Sequence, residues 1–504
     1  MAISGVPAAG GSGQLTQVLP AGHSGNPQSN MLYVFAAADT PALHRRRVGL
    51  RSVECEHVCD CLSYPSTTEV FAMSSTIEVG NLCIPAVLFV LFGAQLPAED
   101  WSRFRGANGT GVSDAVGLPV EWSESRNLIW KRDLPGEGSS SPVIAGDRVF
   151  VTCYAGYGAD AGNDPAKLVR QLVCISADNG NVLWTAQAKT PQREDPPQGY
   201  ILEHGYASNS ATTDGERVYA FYGKSGVAAY DLDGKELWTC SVGTESANRQ
   251  WGSAASLTLF EDLLIVNAAE EGRAVLGLNK LTGEQVWKSE AEALELSYGT
   301  PAQLQRADGQ TELILAVPGE VWGLNARTGK LAWYAETPLT GNVSPAPLVD
   351  GQSIYVFGGF RSSGSLRVRA GGRGDVTKTH VEWTSRSSSY VATPVLVEGR
   401  LYWVDDQGIA WCLDAGTGET IYRERVPGLR SGGRPVYASP IVAEGRIYVV
   451  TRRDGVLVVP AEKEFRVLQQ NRFAGDESDF NATPAVHGKR LLLRSNRAMY
   501  CVGQ

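Results

Sequence analysis

The sequence predicts an all-β protein: an eight-bladed β-propeller of four-stranded antiparallel blades, with an N-terminal strand completing the last blade. Three observations lead there. A phrase made of an apolar strand, a Gly-containing turn and a second strand returns at intervals of about 46 residues, with an aromatic four residues after the glycine. It reads ISADNGNVLW to Trp184, DLDGKELW to Trp238, LNKLTGEQVW to Trp287, LNARTGKLAW to Trp333 and, degenerately, LDAGTGETIY to Tyr422. A second phrase precedes it, as in SPVIAGDRVFV from Ser141 and SPIVAEGRIYVV from Ser439, with Gly146, Gly215, Gly399, Gly445 and Gly488 in its turns. Two hairpins per period give four strands per period, and such a period of roughly 40–50 residues marks a propeller.

The second phrase also counts the blades. Pro142, Asn209, Ala255, Pro301, Ala346, Pro394, Pro440 and Pro484 mark eight inner strands, and only the first interval carries a large insertion. The eighth copy runs out at Cys501-Val-Gly-Gln, before its outermost strand. VEWSESRNLIWKRDL (Val120 to Leu134) has the alternation and aromatic of that strand. Closing the ring with it removes an open sheet edge.

Turn and strand chemistry agree. Asp214-Gly215, Asp233-Gly234, Asp308-Gly309 and Asp350-Gly351 supply the positive-φ residues of tight hairpins. Segments such as RVFV, RIYVV and LLIV are β-branched and aromatic, as buried strands require. A small residue stands six before the turn glycine in several copies (Cys174, Gly277, Gly323, Cys412), and we expect it to let adjacent blades pack closely.

The net charge of −9 and the lack of a basic stripe argue against a nucleic-acid partner. Residues 1–72 show neither repeat nor periodicity and read as a disordered or mis-assigned extension. Their cluster Cys55, Cys59, Cys61 has no second pair at zinc-ligand spacing, so no metal site is expected. From Met73 the text changes. Ile84 to Ala94 is too short an apolar run to span a bilayer but suits a signal-peptide core, and Leu96-Pro-Ala98 offers a cleavage site. The expected organisation is therefore a signal peptide at 73–98 and a propeller domain at 99–504, exported to the periplasm or beyond, with no transmembrane segment and a monomeric state. Cys153, Cys174, Cys240, Cys412 and Cys501 are odd in number and scattered, so no disulfide framework is expected.

The phrase A-x-D-x-x-T-G-x-x-x-W resembles the tryptophan-docking motif of the pyrroloquinoline-quinone-like propeller family. Ala177-Asp178…Gly180…Trp184, Thr282-Gly283…Trp287 and Thr328-Gly329…Trp333 match it closely, and Gly416-Thr-Gly418 partly. The resemblance implies that Trp184, Trp238, Trp287 and Trp333 are structural, each buried against the neighbouring blade. The opening WSRFRGANGTGVSDAVGLPVEW is also similar to secreted propellers of planctomycete-type bacteria. Such domains occur fused to kinases as well, but the chain carries neither an HRD nor a DFG motif.

The family contains quinoprotein dehydrogenases and non-catalytic propellers such as the lipoprotein scaffold of outer-membrane β-barrel assembly. A dehydrogenase would bring adjacent cysteines, a Ca²⁺ site and often a C-x-x-C-H haem motif; neither sequence motif is present. The lipoprotein would need a cysteine just after the apolar run, whereas Cys83 precedes it.

Loop lengths point to the working face. Turns within hairpins are short, while the connections between blades are long, the longest being Gln192 to Ser210. Long loops on one rim of a rigid scaffold are where binding residues gather. Aromatics recur just before the inner strands: Tyr206, Trp251, Tyr298, Tyr390, Tyr437 and Phe480. With Glu203, His204, Asn209, Arg249, Asn342, Arg434 and Asn481 they form the candidate ligand face, able to stack a planar group or a sugar. The expected function is a binding or scaffold module for a protein or glycan, without cofactor. The alternative is an oxidoreductase using pyrroloquinoline quinone and Ca²⁺.

Overall fold

The computed structural model describes residues 101–504 except 159, 160, 163, 192, 431 and 432; before them it describes only the paired strands Ser74–Ser75 and Ala86–Val87. Met1–Gly93 and Ala94–Gln504 form separate compact units. Apart from that strand pair, the expected extension and leader lie outside the described residues.

Eight blades of four antiparallel strands follow in chain order, and the short strands Gly374–Asp375 and Val112–Ser113 pair in parallel along the edges of blades four and seven. Blade one comprises Val143–Ala145, Arg148–Ala155, Val169–Ser176 and Val182–Gln187. Blade eight takes Ala485–His487, Arg490–Arg494 and Ala498–Gly503 from the C-terminus and its outer strand, Leu128–Asp133, from the N-terminal side. The ring closes as the truncated eighth repeat requires.

Burial follows position within a blade. Middle strands are covered on both faces by neighbouring blades, so Leu263–Ala268 is buried throughout. Outer strands are half wet and alternate, so that in Gln285–Glu290 Trp287 is buried beside exposed Val286 and Lys288. Each docking indole then crosses to the next blade. Trp130 packs under Gly180, Trp184 under Gly234, Trp238 under Gly283, Trp287 under Gly329 and Trp383 under Gly418. All five glycines have φ between +67° and +88°, and a Cβ on any of them would run into the indole, so the turn needs glycine twice over. The indole N–H of Trp130, Trp184, Trp238 and Trp383 donates to a carbonyl of that next blade, at 2.8–3.1 Å.

Four details depart from the sequence reading. Trp184 docks but stays half-buried, whereas Trp238 and Trp287 at the equivalent place in their blades are buried. Trp333 is fully buried yet donates to Glu312 Oε2 (2.8 Å) of its own blade, since blade five replaces the docking turn with a strand, Gly374–Asp375, that pairs alongside it. The small residues Cys174, Gly277, Gly323 and Cys412 face their own blade's Trp184, Trp287, Trp333 and Tyr422 across a bulge, so they admit the indole rather than the neighbouring blade. Residues 101–113, unassigned from sequence, cross the turn end of the inner strands. Trp101, Ser102 and Gly111 accept through their carbonyls from the N–H groups of Ile144, Thr213 and Val442. Arg105 is fully buried there and donates to the carbonyls of Thr393, Pro394 and Thr110, each at 2.6 Å.

The five described cysteines are free, and Cys153, Cys174, Cys412 and Cys501 are buried. Among the described residues no helix is long and apolar enough to cross a membrane.

Candidate functional site

The propeller axis is lined by a belt of hydroxyls. The backbone N–H of Ser141 donates to Ser210 Oγ, that of Ser210 to Ser256 Oγ and that of Ser256 to Thr300 Oγ1. The backbone N–H of Ala346 donates to Thr393, that of Thr393 to Ser439, that of Ser439 to Thr483 and that of Thr483 back to Ser141, so that every step of the ring but Thr300 to Ala346 is bridged, all at 2.9–3.1 Å. Each link joins one blade to the next. Ala346 is the one position without a hydroxyl. The belt also corrects the inner-strand register: Ala211, Leu257 and Pro347, rather than Asn209, Ala255 and Ala346, are equivalent to Pro142.

Above the belt lies a cavity of about 170 Å³, reached by Phe104 at the turn end and by Tyr200, Glu203 and His204 from the long insertion. Tyr200 was missed in the sequence because it falls outside the recurrent pre-strand position. It stands at the start of the one-turn helix Ile201–His204 and spans the axis, 4.5 Å from the Trp251 ring and 6.1 Å from Tyr390 on the far side. The insertion is tied down around it. Glu203 pairs with Arg452 at 2.6 Å, the Glu203 carbonyl accepts from Asn481 Nδ2, and the His204 carbonyl accepts from Ser139 Oγ.

Of the candidate residues, Glu203, His204, Trp251, Tyr298, Asn342, Tyr390, Tyr437 and Asn481 line this cavity. Arg434 stacks over Tyr390 and Tyr200 and pairs with Asp406, while exposed Arg249 lies over Trp251. Three expectations fail. Tyr206 turns into the wall, where its hydroxyl donates to the Asp195 carbonyl. Phe480 packs in the core against Phe473 and Tyr500. The Asn209 amide is spent on Ser253 Oγ and the Ala255 carbonyl. Tyr206 packs against Tyr154 and Tyr157, and Phe480 against Phe473 and Tyr500, so each fills the wall rather than the axis.

His204 meets Ser208 Oγ through Nδ1 (2.6 Å) and the Trp251 carbonyl through Nε2 (3.0 Å). Nε2 must therefore carry the proton. Burial lowers its pKa to about 4, so the imidazole is neutral at pH 7 and a weak base for activating Ser208. A second, tight pocket behind the wall holds Arg170 on Glu194 (2.6 Å) and Lys224 on Asp195 (2.7 Å), all buried, beside Glu270 and Glu271. Burial and mutual repulsion raise Glu270 to about 8; burial raises Glu271 to about 7.

Pyrroloquinoline quinone, a tricarboxylate, fits the cavity poorly. Its lining contains no lysine or arginine, and its one carboxylate is engaged by Arg452. Among the described residues no group of His, Cys, Asp or Glu is arranged to hold a metal ion.

These features define an eight-bladed propeller with a neutral, aromatic-walled axial cavity under a long-loop rim. The sequence pattern of the family described as outer membrane protein assembly factor BamB matches three overlapping stretches, 107–249, 170–424 and 379–498, and the chain belongs to that family. It is 24% identical to outer membrane protein assembly factor BamB of Burkholderia pseudomallei (strain K96243) over 405 residues, 76% of this chain and 90% of the relative. The crystal structure of BamB from Moraxella catarrhalis shares the fold at 13% identity and a TM-score of 0.52, covering 75% of this chain and 97% of that one. Quinohemoprotein alcohol dehydrogenase ADHIIG from Pseudomonas putida HK5 gives a TM-score of 0.44 at 12% identity, covering 72% of this chain and 76% of that one.

Proposed function

We propose that the protein is an exported, non-catalytic assembly factor that binds a protein partner with its long-loop rim, in support of outer-membrane protein assembly. The observation that carries this reading is the family match across residues 107–498, nearly the whole ring. The rim is suited to it. Leu202, 57% exposed on the insertion, and Phe360, 37% exposed beside Tyr390 and Arg361, are apolar anchors on the long-loop side, where exposed Arg249 lies over Trp251. Exposed aromatic, aliphatic and arginine side chains around a rigid scaffold are the composition of binding hot spots. Photo-crosslinkers placed at Leu202 and Phe360 in cells should trap an outer-membrane assembly protein, while one at exposed Leu281, on an outer docking turn, should not. Adducts from Leu281 alone would refute the rim as the binding face.

A further inference from the structure

We propose that the axial cavity is a second, separate site that binds a neutral saccharide of one or two rings. It lies behind the rim residues assigned to a protein partner and does not depend on that assignment.

The chemistry of the wall selects the ligand. Trp251, Tyr298, Tyr390 and Tyr437 enter from successive and opposed blades, giving flat faces on which the C–H face of a sugar ring can stack. The belt supplies the polar floor. Seven hydroxyl oxygens each already accept a backbone N–H, so their own protons remain to donate. A ring of donors calls for a ligand rich in oxygen acceptors.

Two amides have capacity to spare. Asn342 is 4% exposed, yet its contacts to Ser344 Oγ and from the Tyr390 hydroxyl are both long, at 3.4 Å. Asn481 Oδ1 is buried without a partner. Buried amides left so are costly unless a ligand or water engages them. The ligand is neutral because the lining holds no cation of its own, the guanidinium groups of Arg434 and Arg452 stacked behind its tyrosines are paired with Asp406 and Glu203, and Glu203 is its only carboxylate. A volume of about 170 Å³ holds on the order of ten waters, comparable to a small sugar. Tyr200 covers the axis, so entry requires the Ile201–His204 turn to lift.

The test uses the full chain, titrated with N-acetylglucosamine, chitobiose, maltose and cellobiose, and with glucuronate and glucosamine as charged controls. Tryptophan fluorescence and calorimetry are followed together. The expected result is saturable one-to-one binding of at least one neutral sugar, with the fluorescence change lost in Trp251→Phe. Asn342→Ala and Asn481→Ala should each weaken binding about tenfold, with the melting temperature within a degree or two in Asn342→Ala, whose side chain holds no backbone group. No response to any neutral probe, a response confined to the charged controls, or binding that survives both amide substitutions in folded protein would overturn the proposal.

Discussion

Ser141 Oγ accepts the backbone N–H of Thr483 at 3.0 Å, joining blade eight to blade one across 342 residues of sequence. The same seam carries Arg494, fully buried, whose guanidinium donates to the Ser140 and Thr152 carbonyls at 2.8 Å. The ring is therefore closed twice, by the outer strand at its rim and by hydroxyl and guanidinium bonds at its axis.

Replacing Ser141 with alanine leaves that N–H buried without an acceptor and should cost about 1–3 kcal/mol. The converse change is more telling. Ala346→Ser places a hydroxyl where the register of the other seven links would receive the N–H of Thr300, and should stabilise by about 0.5–1 kcal/mol. Chemical denaturation of both variants checks this; a destabilised Ala346→Ser would show that the belt is incidental.

The docking glycines should be as sensitive as the indoles. Trp287→Ala should cost roughly 3–5 kcal/mol, as for other large buried aromatics. Gly329→Ala should also be severe, because it forces a side chain to φ +67° and drives a Cβ into the Trp287 ring. Trp184→Ala should cost less, since that indole is only half-buried. Thermal melts of the three variants give the order directly, and equal losses would break the link between burial and docking.

Arg105 should hold the N-terminal segment across the turn face. Burial lowers its pKa to about 9, so it remains charged at pH 7 and bonded only to carbonyls. Arg105→Ala should free residues 101–113 and speed hydrogen exchange at the Thr213 and Val442 amides, which bond to that segment, while the amides of blade three stay protected. Uniform exchange behaviour would contradict a separable segment.

Glu270 and Glu271 give the stability a pH dependence of known sign. Both hold their protons more tightly in the folded chain, at about 8 and about 7, than at the ordinary 4.5. The folded state thus binds more protons than the unfolded between about pH 4.5 and 8, and their contribution is lost as pH rises through that window. His204 acts oppositely, its contribution falling as pH drops from 6.5 towards 4. The difference between wild type and Glu270→Gln isolates the first effect. The variant should gain in relative melting temperature from pH 5 to pH 8; a constant difference would place the Glu270 carboxyl in water.

Most of the fold was legible in the sequence because a propeller repeats its reasons. The glycine-to-tryptophan spacing recurs with each blade, and the strand missing after Cys501 had to come from elsewhere. Trp130 and Trp383 were harder to see, since one lies before the first repeat and the other lacks the turn ahead of it. The site was legible in part. Trp251, Tyr298, Tyr390 and Tyr437 all shortly precede an inner strand and converge, whereas Tyr206, at an offset between those of Trp251 and Tyr390, turns into the wall, where Tyr154 and Tyr157 offer it a packing place. Tyr200 and the segment around Arg105 act across the ring, between residues with no common period. The hydroxyl belt could have been found: seven of eight inner strands begin with Ser or Thr once Ala211, Leu257 and Pro347 are set in register.

The most direct test of the assembly role is made in the cell that encodes the chain. Deleting it should lower the amounts of outer-membrane β-barrel proteins, and the wild-type chain should restore them. A Leu202→Asp/Phe360→Asp variant, altered only at exposed rim residues, should be exported and melt normally yet fail to restore them. Unchanged β-barrel levels in the deletion, or full rescue by the rim variant, would contradict the account.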